Sequence, residues 1–455
     1  MKYKDKKILV CGMGKSGISA ARLLLRHGAR VTLTDTKAEP AIDDDLLQDS
    51  RVSTYFGKKP DDLVTDFDII VISPGISVYS PFVDIARQAG VLVVGEIEIA
   101  SSVCEAPIIA ITGTNGKTTT VSMVGEIMQN FANSSCVVGN IGVPFCDEAE
   151  AISADAFAVA EISSFQLETI ADFSPKVSAV LNVTEDHLNR HITMENYIAA
   201  KERIFENQTS DDFCILNYDN EITRKMAAKT TAQVIFFSAL TPMDNGVFIK
   251  DDSIYINLGG QAGELIKCAD LQIPGRHNLE NAMAAAAIAM AAGVSVSTIA
   301  YALRNFRGVE HRQEFVSEVC GVRFYNDSKA TNVDSAIVGI AAMVRPIILI
   351  GGGQGKDQSF DSLISAFGDK VKLFIIIGEA AEQLVKTCQA NNFLSYEIAK
   401  DMKDAVNTAF SRASKGDCVL LSPACASMDM FDNFEHRGKV FKDIVMEMQK
   451  LRKGE

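Results

Sequence analysis

The stretch Thr112-Gly113-Thr114-Asn115-Gly116-Lys117-Thr118-Thr119 holds the residue types that bind a polyphosphate. The apolar run Pro107-Ile108-Ile109-Ala110-Ile111 before it reads as a buried strand, and the pattern predicts a helix from near Lys117. A glycine-rich turn between strand and helix aims backbone N–H groups and a helix N-terminus at one point. There Lys117 would neutralise the outer phosphates and Thr118 would place its hydroxyl on Mg2+. The spacing is not that of the general P-loop pattern, which wants glycine where Ile111 stands. The shorter loop still predicts a chain that consumes a nucleoside triphosphate, against the plainer reading of a turn joining strand to helix.

A second loop, Gly12-Met13-Gly14-Lys15-Ser16-Gly17, fits G-x-G-x-x-G after a strand and ahead of a helix. Asp35 ends the next predicted strand, 18 residues beyond Gly17, where an acid can hold a ribose. Two ligands satisfy this physics: a nicotinamide dinucleotide, or the diphosphate of a nucleotide sugar. Ser73-Pro74-Gly75 follows another strand and either frames the same crevice or is a simple turn.

Acids and a histidine follow two further predicted strands. Glu161 opens Glu161-Ile162-Ser163-Ser164-Phe165-Gln166-Leu167 after the strand Ala156–Ala160, a usual place for a Mg2+ ligand beside a phosphate loop. Asn182-Val183-Thr184-Glu185-Asp186-His187 follows the strand Val177–Leu181, and His187 would enter the same crevice if the two strands are neighbours. Lys201 lies in a helical stretch, and by spacing alone it is a surface lysine like Lys225 or Lys229.

The elements that must position these residues alternate along the chain. Strands are predicted at Lys7–Cys11, Arg30–Thr34, Asp68–Ile72 and Val91–Val94, then at Ile108–Ile111, Ala156–Ala160, Val177–Leu181 and Phe213–Leu216. Residues 231–273 read as a small antiparallel patch, and an alanine-rich helix from Asn278 to Ala292 stops at Gly293. A third unit begins near Val309, with strands at Val322–Asn326, Pro346–Ile350, Leu373–Ile377 and Cys418–Leu421. Strands alternating with helices imply an α/β protein with parallel sheets. The borders fall near 97 and 308, in a length of 455 residues that suits two to four domains. The net charge of −14 argues against a nucleic-acid partner. The ten cysteines show no metal spacing, so they read as small buried hydrophobes of a reducing compartment. The apolar run after the basic N-terminus, Ile8–Cys11, is too short for a signal or a membrane span. The expectation is a cytoplasmic chain without membrane insertion.

Together these motifs resemble the Mur ligase family of ATP-dependent amide-forming enzymes. Gly113–Thr119 resembles its P-loop; Gly139-Asn140-Ile141-Gly142, the Glu161 and His187 blocks and His277-Asn278-Leu279-Glu280-Asn281-Ala282 resemble its central blocks. His311-Arg312, Asn326-Asp327-Ser328-Lys329-Ala330-Thr331-Asn332 and Leu421-Ser422-Pro423-Ala424-Cys425-Ala426-Ser427 resemble its C-terminal blocks. The likeness spans essentially the whole chain and is nearest the D-glutamate-adding branch. It implies three domains, each a largely parallel sheet with flanking helices: a Rossmann-like UDP-sugar domain (1–97), a P-loop ATPase domain (98–308) and a Rossmann-like amino-acid domain (309–455). It implies a monomer that joins D-glutamate to UDP-N-acetylmuramoyl-L-alanine at the expense of ATP, with two Mg2+ ions, in peptidoglycan precursor synthesis.

The resemblance also distributes roles. Gly113, Thr114, Asn115, Gly116, Lys117, Thr118 and Thr119 would cradle ATP, with Asn278, Asn281, Arg312 and Asp327 on its adenine, ribose and phosphates. Thr118 and Glu161 would hold one Mg2+; His187 and a carbamylated Lys201 would serve the second. Gly14, Lys15, Ser16, Asp35, Thr36, Gly75, Asn140 and His187 would hold the UDP-sugar. Lys329, Thr331, Lys356, Ser427, Met428 and Phe434 would bind D-glutamate, Lys329 and Lys356 by charge. Phe434 has core packing as its alternative. Two rivals remain: another ligase of the same family, or a P-loop kinase or nucleotide-binding regulator with an NAD-type domain.

Overall fold

A computed structural model describes residues 2–131, 135–355 and 359–453. The first sheet contains β1 (Lys7–Cys11), β2 (Arg30–Asp35), β3 (Val52–Phe56), β4 (Ile69–Ile72) and β5 (Leu92–Val94), in the order β3-β2-β1-β4-β5. All its pairings are parallel. Ile8, Leu9 and Val10 of β1 are fully buried, as expected of a parallel strand covered on both faces. The winding reverses at β1, so the loops after β1, β2 and β4 open toward one crevice at the carboxyl ends of the strands.

The second sheet contains β6 (Ile108–Thr112), β7 (Cys136–Gly139), β8 (Ala158–Glu161), β9 (Val177–Val180), β10 (Phe213–Asn217), β11 (Gln233–Ser238), β12 (Gly246–Lys250), β13 (Ser253–Leu258) and β14 (Gln261–Lys267). Its order is β14-β13-β12-β11-β10-β9-β6-β8-β7. The predicted antiparallel patch is smaller than expected. Only β12, β13 and β14 pair antiparallel, while β11 continues the parallel sheet between β10 and β12. Nor are the strands before Glu161 and before His187 neighbours. β6 runs between them and pairs with both, so the phosphate loop, not a direct strand contact, joins the two loops.

The third sheet contains β15 (Glu314–Val319), β16 (Val322–Asn326), β17 (Ile347–Gly352), β18 (Val371–Ile377), β19 (Tyr396–Ile398) and β20 (Cys418–Leu421), in the order β15-β16-β20-β17-β18-β19. The β15–β16 hairpin is antiparallel and the remaining pairings are parallel. Two compact units divide the chain: Met1–Cys268 with Glu280–Leu303, and Ala269–Leu279 with Arg304–Glu455. The first unit holds the first two sheets, and the second holds the third.

Among the described residues no helix is long and apolar enough to cross a membrane. The cysteines are all free, and most are buried or half-buried. Cys320 departs from the buried role expected of it: it is exposed, at φ 51° in the turn between β15 and β16.

Candidate active site

The phosphate loop is fixed from both sides. Thr114 N–H donates to Asn182 O at 2.9 Å, and Asn115 N–H to Asn182 Oδ1 at 2.8 Å. Asn182 Nδ2 returns a bond to Asn115 O at 3.2 Å, so the chain leaving β9 locks the turn that leaves β6. Gly116 lies at φ +83°, and a Cβ there would stand 2.3 Å from Asn281 Oδ1. Asn281 thereby packs directly on the loop, and its Oδ1 also accepts from Thr120 Oγ1 at 3.3 Å. The helix Lys117–Phe131 then begins, with its first N–H groups outside the intrahelical ladder.

Two lysines meet behind the loop. Lys117 Nζ donates to Gly113 O and Thr114 O, each at 2.9 Å, and Lys201 Nζ donates to the same Gly113 O at 2.9 Å. Lys201 is not the surface lysine its spacing suggested: it is 1% exposed, on the inner face of the helix Met194–Glu202. Burial, reinforced by the Lys117 ammonium, pushes its pKa down to about 7. Its Nζ lies 4.7 Å from the centre of the Tyr197 ring, one turn earlier, whose hydroxyl is 3.1 Å from Thr114 Oγ1. Tyr197 escaped the sequence reading; its place one turn before Lys201 is the only signal.

Glu161 ends β8 at 2% exposure. Its Oε2 accepts from Thr118 Oγ1 at 2.9 Å and its Oε1 from Asn140 Nδ2 at 2.8 Å. Asn140, expected beside the sugar nucleotide, here orients Glu161, and its backbone N–H also donates to Glu161 O at 2.9 Å. A capping box between Ser163 and Gln166 starts the next helical turn and fixes the chain that leaves the carboxylate. His187 is half exposed at φ 53°, 3.4 Å from Asp186, with its ring 6.3 Å from Tyr197. Tyr197 is thus adjacent to both His187 and Lys201. Two residues absent from the sequence reading support this edge. Arg190 donates to Glu168 at 2.7 Å and to Ile76 O at 2.8 Å. His191, buried, bonds Ser164 Oγ at 2.9 Å, and burial lowers its pKa to about 4.

In the first crevice, Asp35 serves the glycine loop. Its Oδ2 accepts Met13 N–H at 2.8 Å and its Oδ1 accepts Lys37 N–H at 2.9 Å. Burial works to raise its pKa, but these N–H groups outweigh it and hold the carboxyl below its ordinary value. A Cβ on Gly17 would fall 1.9 Å from Gly12 O, so the helix Lys15–Arg26 can approach β1 only with glycine there. Gly14 and Lys15 are exposed at its start and Ser16 is half-buried. A cleft of about 270 Å³ has Gly12, Asp35, Thr36, Lys58, Ile76 and Phe82 in its walls, but not Gly14, Lys15 or Ser16. Gly75, next to Ile76, is exposed.

In the second unit Asp327 is buried among polar partners. It accepts from Ser422 Oγ at 2.8 Å and from Gln313 N–H at 3.2 Å, and burial raises its pKa to about 7. Arg312 is half-buried near it, and Asn278 Nδ2 donates to Pro274 O at 2.6 Å. Lys329 is exposed, with its Nζ 5.9 Å from the centre of the Phe434 ring. Thr331 and Phe434 are half-buried, Ser427 is buried and Met428 is exposed. Lys356 lies outside the described residues.

A paired oxygen set, Thr118 and Glu161, beside a helix N-terminus and two lysines can bind a metal–triphosphate and stabilise charge moving off its terminal group. The chain is similar to known proteins along most of its length. Residues 6–95 match the Mur ligase MurD-like N-terminal domain, residues 111–289 the Mur ligase middle domain, and residues 311–425 the Mur ligase glutamate ligase domain. The UDP-N-acetylmuramoylalanine–D-glutamate ligase of Thermoanaerobacter sp. (strain X514) is 45% identical over 454 residues, covering 99% of this chain and 100% of the relative. The protein of that name from Clostridioides difficile (strain 630) is 46% identical over 449 residues, covering 98% and 99%. A UDP-N-acetylmuramate–alanine ligase from Thermotoga maritima shares the fold, with a TM-score of 0.57 at 17% identity over 97% of this chain and 100% of that one.

Proposed function

The chain belongs to the Mur ligase family, and we infer that it joins D-glutamate to UDP-N-acetylmuramoyl-L-alanine while ATP becomes ADP and phosphate. It is a ligase of peptidoglycan precursor synthesis. One observation carries this reading: identity of 45% along the entire chain to a protein named for that reaction.

The chemical difficulty is the leaving group, because a carboxylate does not expel oxide. Transfer of the γ-phosphoryl group makes an acyl phosphate, and the amine of D-glutamate attacks its carbonyl carbon. The tetrahedral oxyanion collapses with loss of phosphate, and the amine gives up its proton. Each stage gathers negative charge, so cations and N–H donors must be in place beforehand. Lys117 and the N–H groups of its loop would take that part at the β- and γ-phosphates. Thr118 Oγ1 and Glu161 Oε2, hard oxygen donors 2.9 Å apart, fit Mg2+, which would neutralise phosphate charge there.

A second ion would lie toward His187 and Lys201. An ammonium repels a metal, so this role requires Lys201 as its carbamate. The buried amine, with its pKa near 7, suits capture of carbon dioxide. Residues 1–97 would bind the UDP-sugar, 98–308 ATP, and 309–455 the amino acid. Within these, Asp35, Thr36, Gly75 and the loop Gly14–Ser16 would hold the nucleotide sugar; Asn278, Asn281, Arg312 and Asp327 would hold ATP. Lys329, Thr331, Lys356, Ser427, Met428 and Phe434 would hold D-glutamate. The chain would act as a cytoplasmic monomer.

Phosphate release with ATP, Mg2+ and UDP-N-acetylmuramoyl-L-alanine tests this, with D-glutamate, L-glutamate or L-alanine offered separately. D-Glutamate alone should drive turnover. Turnover with L-alanine only would move the chain to another branch, and ADP formation indifferent to any amino acid would indicate a kinase or regulator.

A further inference from the structure

Four segments carry or lead to the side chains proposed for D-glutamate; one buried guanidinium bonds two of them directly, and the other two are bonded to those. Arg437, on the helix Phe434–Lys453, is 1% exposed. Its Nε donates to Ser328 Oγ at 3.0 Å and its Nη2 to Ser328 O at 2.8 Å. Its Nη1 donates to Cys425 O and Ala426 O, each at 3.1 Å. Ser328 immediately precedes Lys329, and Ala426 immediately precedes Ser427. Ser328 Oγ in turn donates to Phe434 O at 2.8 Å. The fourth segment is Gly353-Gln354. Gln354 N–H donates to Ala426 O at 3.0 Å, and a Cβ on Gly353 would lie 2.3 Å from Ala426 O and 3.2 Å from Arg437 Nη1.

All four acceptors of this cation are neutral. Burying a charge without a bonded carboxylate is costly, and an apolar side chain would fill the volume without that cost. What a guanidinium adds is a rigid plane with N–H groups leaving on several sides. Here that plane fixes the separation of the loop after β16 from the loop after β20, and ties both to the start of the last helix. A tie between loops that carry ligand groups sets where those groups stand, beyond what packing alone requires.

We propose that Arg437 is a positioning residue for the amino-acid substrate, setting the distance between the Ser328–Thr331 and Cys425–Met428 segments and so the site for a dicarboxylate. The proposal rests on the D-glutamate reading above. Full-length Arg437→Lys and Ser328→Ala test it by steady-state kinetics beside thermal melting. Arg437→Lys keeps the charge and loses the fork. It should raise the KM for D-glutamate roughly tenfold, with the KM values for ATP and the UDP-sugar within about twofold of the parent. Ser328→Ala, which removes the Arg437 Nε bond and the bond to Phe434 O but leaves the other three guanidinium bonds, should move the same KM by less, and it decides the matter if Arg437→Lys does not fold. A merely structural role would lower the melting temperature and the active fraction without this selectivity. Parallel rises in all three KM values, or a D-glutamate KM unmoved in a folded variant, overturn the proposal alone. A parent enzyme indifferent to D-glutamate overturns the functional reading and the proposal together.

Discussion

Lys117 and Lys201 both donate to Gly113 O at 2.9 Å, an arrangement two full charges would oppose. Burial first, and then this neighbour, brings the Lys201 pKa from 10.5 down to about 7. The sign is that of a cation resisted by the fold: the amine is protonated below about pH 7 and neutral above it. Only the neutral form adds to carbon dioxide, so carbamate formation should rise between about pH 6 and 8. Intact-mass and peptide mass measurements in bicarbonate should find one added carbon dioxide on the peptide holding Lys201. Turnover of Lys201→Ala should drop by roughly 10–100-fold or more. A folded Lys201→Ala enzyme with parental turnover would end the metal role of this side chain. Spacing left Lys201 equivalent to Lys225, because the helix Met194–Glu202 has no distinct apolar face and what it buries depends on what lies across from it. The phosphate loop itself was legible, since its glycines, lysine and threonines act within one turn of chain.

The helix Glu96–Ser101 follows β5 and carries two buried acids. Glu98 accepts N–H groups from Ala171, Asp172 and Phe173 at 2.8, 3.0 and 3.1 Å. Glu96 Oε1 accepts Cys146 N–H at 2.6 Å. Burial raises the Glu96 pKa from 4.5 to about 7, against the pull of that N–H. A raised folded-state pKa means stability is full below about pH 4.5 and is lost as pH climbs through about 7. Glu96→Gln keeps an acceptor and stays neutral throughout. In urea titrations its midpoint should gain on the parent's from about pH 5 to about pH 8. A difference that stays constant with pH would mean Glu96 does not titrate in this range. Such partners were invisible in sequence because they lie some 50 to 75 residues away. Strands divide on the same ground. Interior strands such as β1, β6 and β17 are buried apolar runs and were legible, whereas β3, β7, β15 and β19 were missed. Each of those four is a sheet edge, where one flank has no neighbour and the residues need not be uniformly apolar.

Across the whole chain, the compact units interleave where sequence reading drew a single border. Residues 269–279 precede the proposed border near 308, yet they belong with the unit that contains the third sheet. A Cβ on Gly308 would lie 3.1 Å from Ile273 Cγ2, and a Cβ on Gly275 would lie 3.3 Å from Ala342 Cβ. Leu271 and Ile273 are 6% and 5% exposed, so this strap contributes core rather than linker. No composition shift marks it, because an apolar strap and an apolar strand read alike until something packs on them. Ile273→Ala should therefore destabilise the second unit by about 2–4 kcal/mol. Hydrogen exchange followed peptide by peptide separates the possibilities. Protection should fall in peptides from residues 304–455, while peptides from residues 2–268 keep theirs, because local openings report the unit they occur in. Equal losses in both units would show that the chain opens as one cooperative body. A loss confined to residues 2–268 would return the strap to the central block.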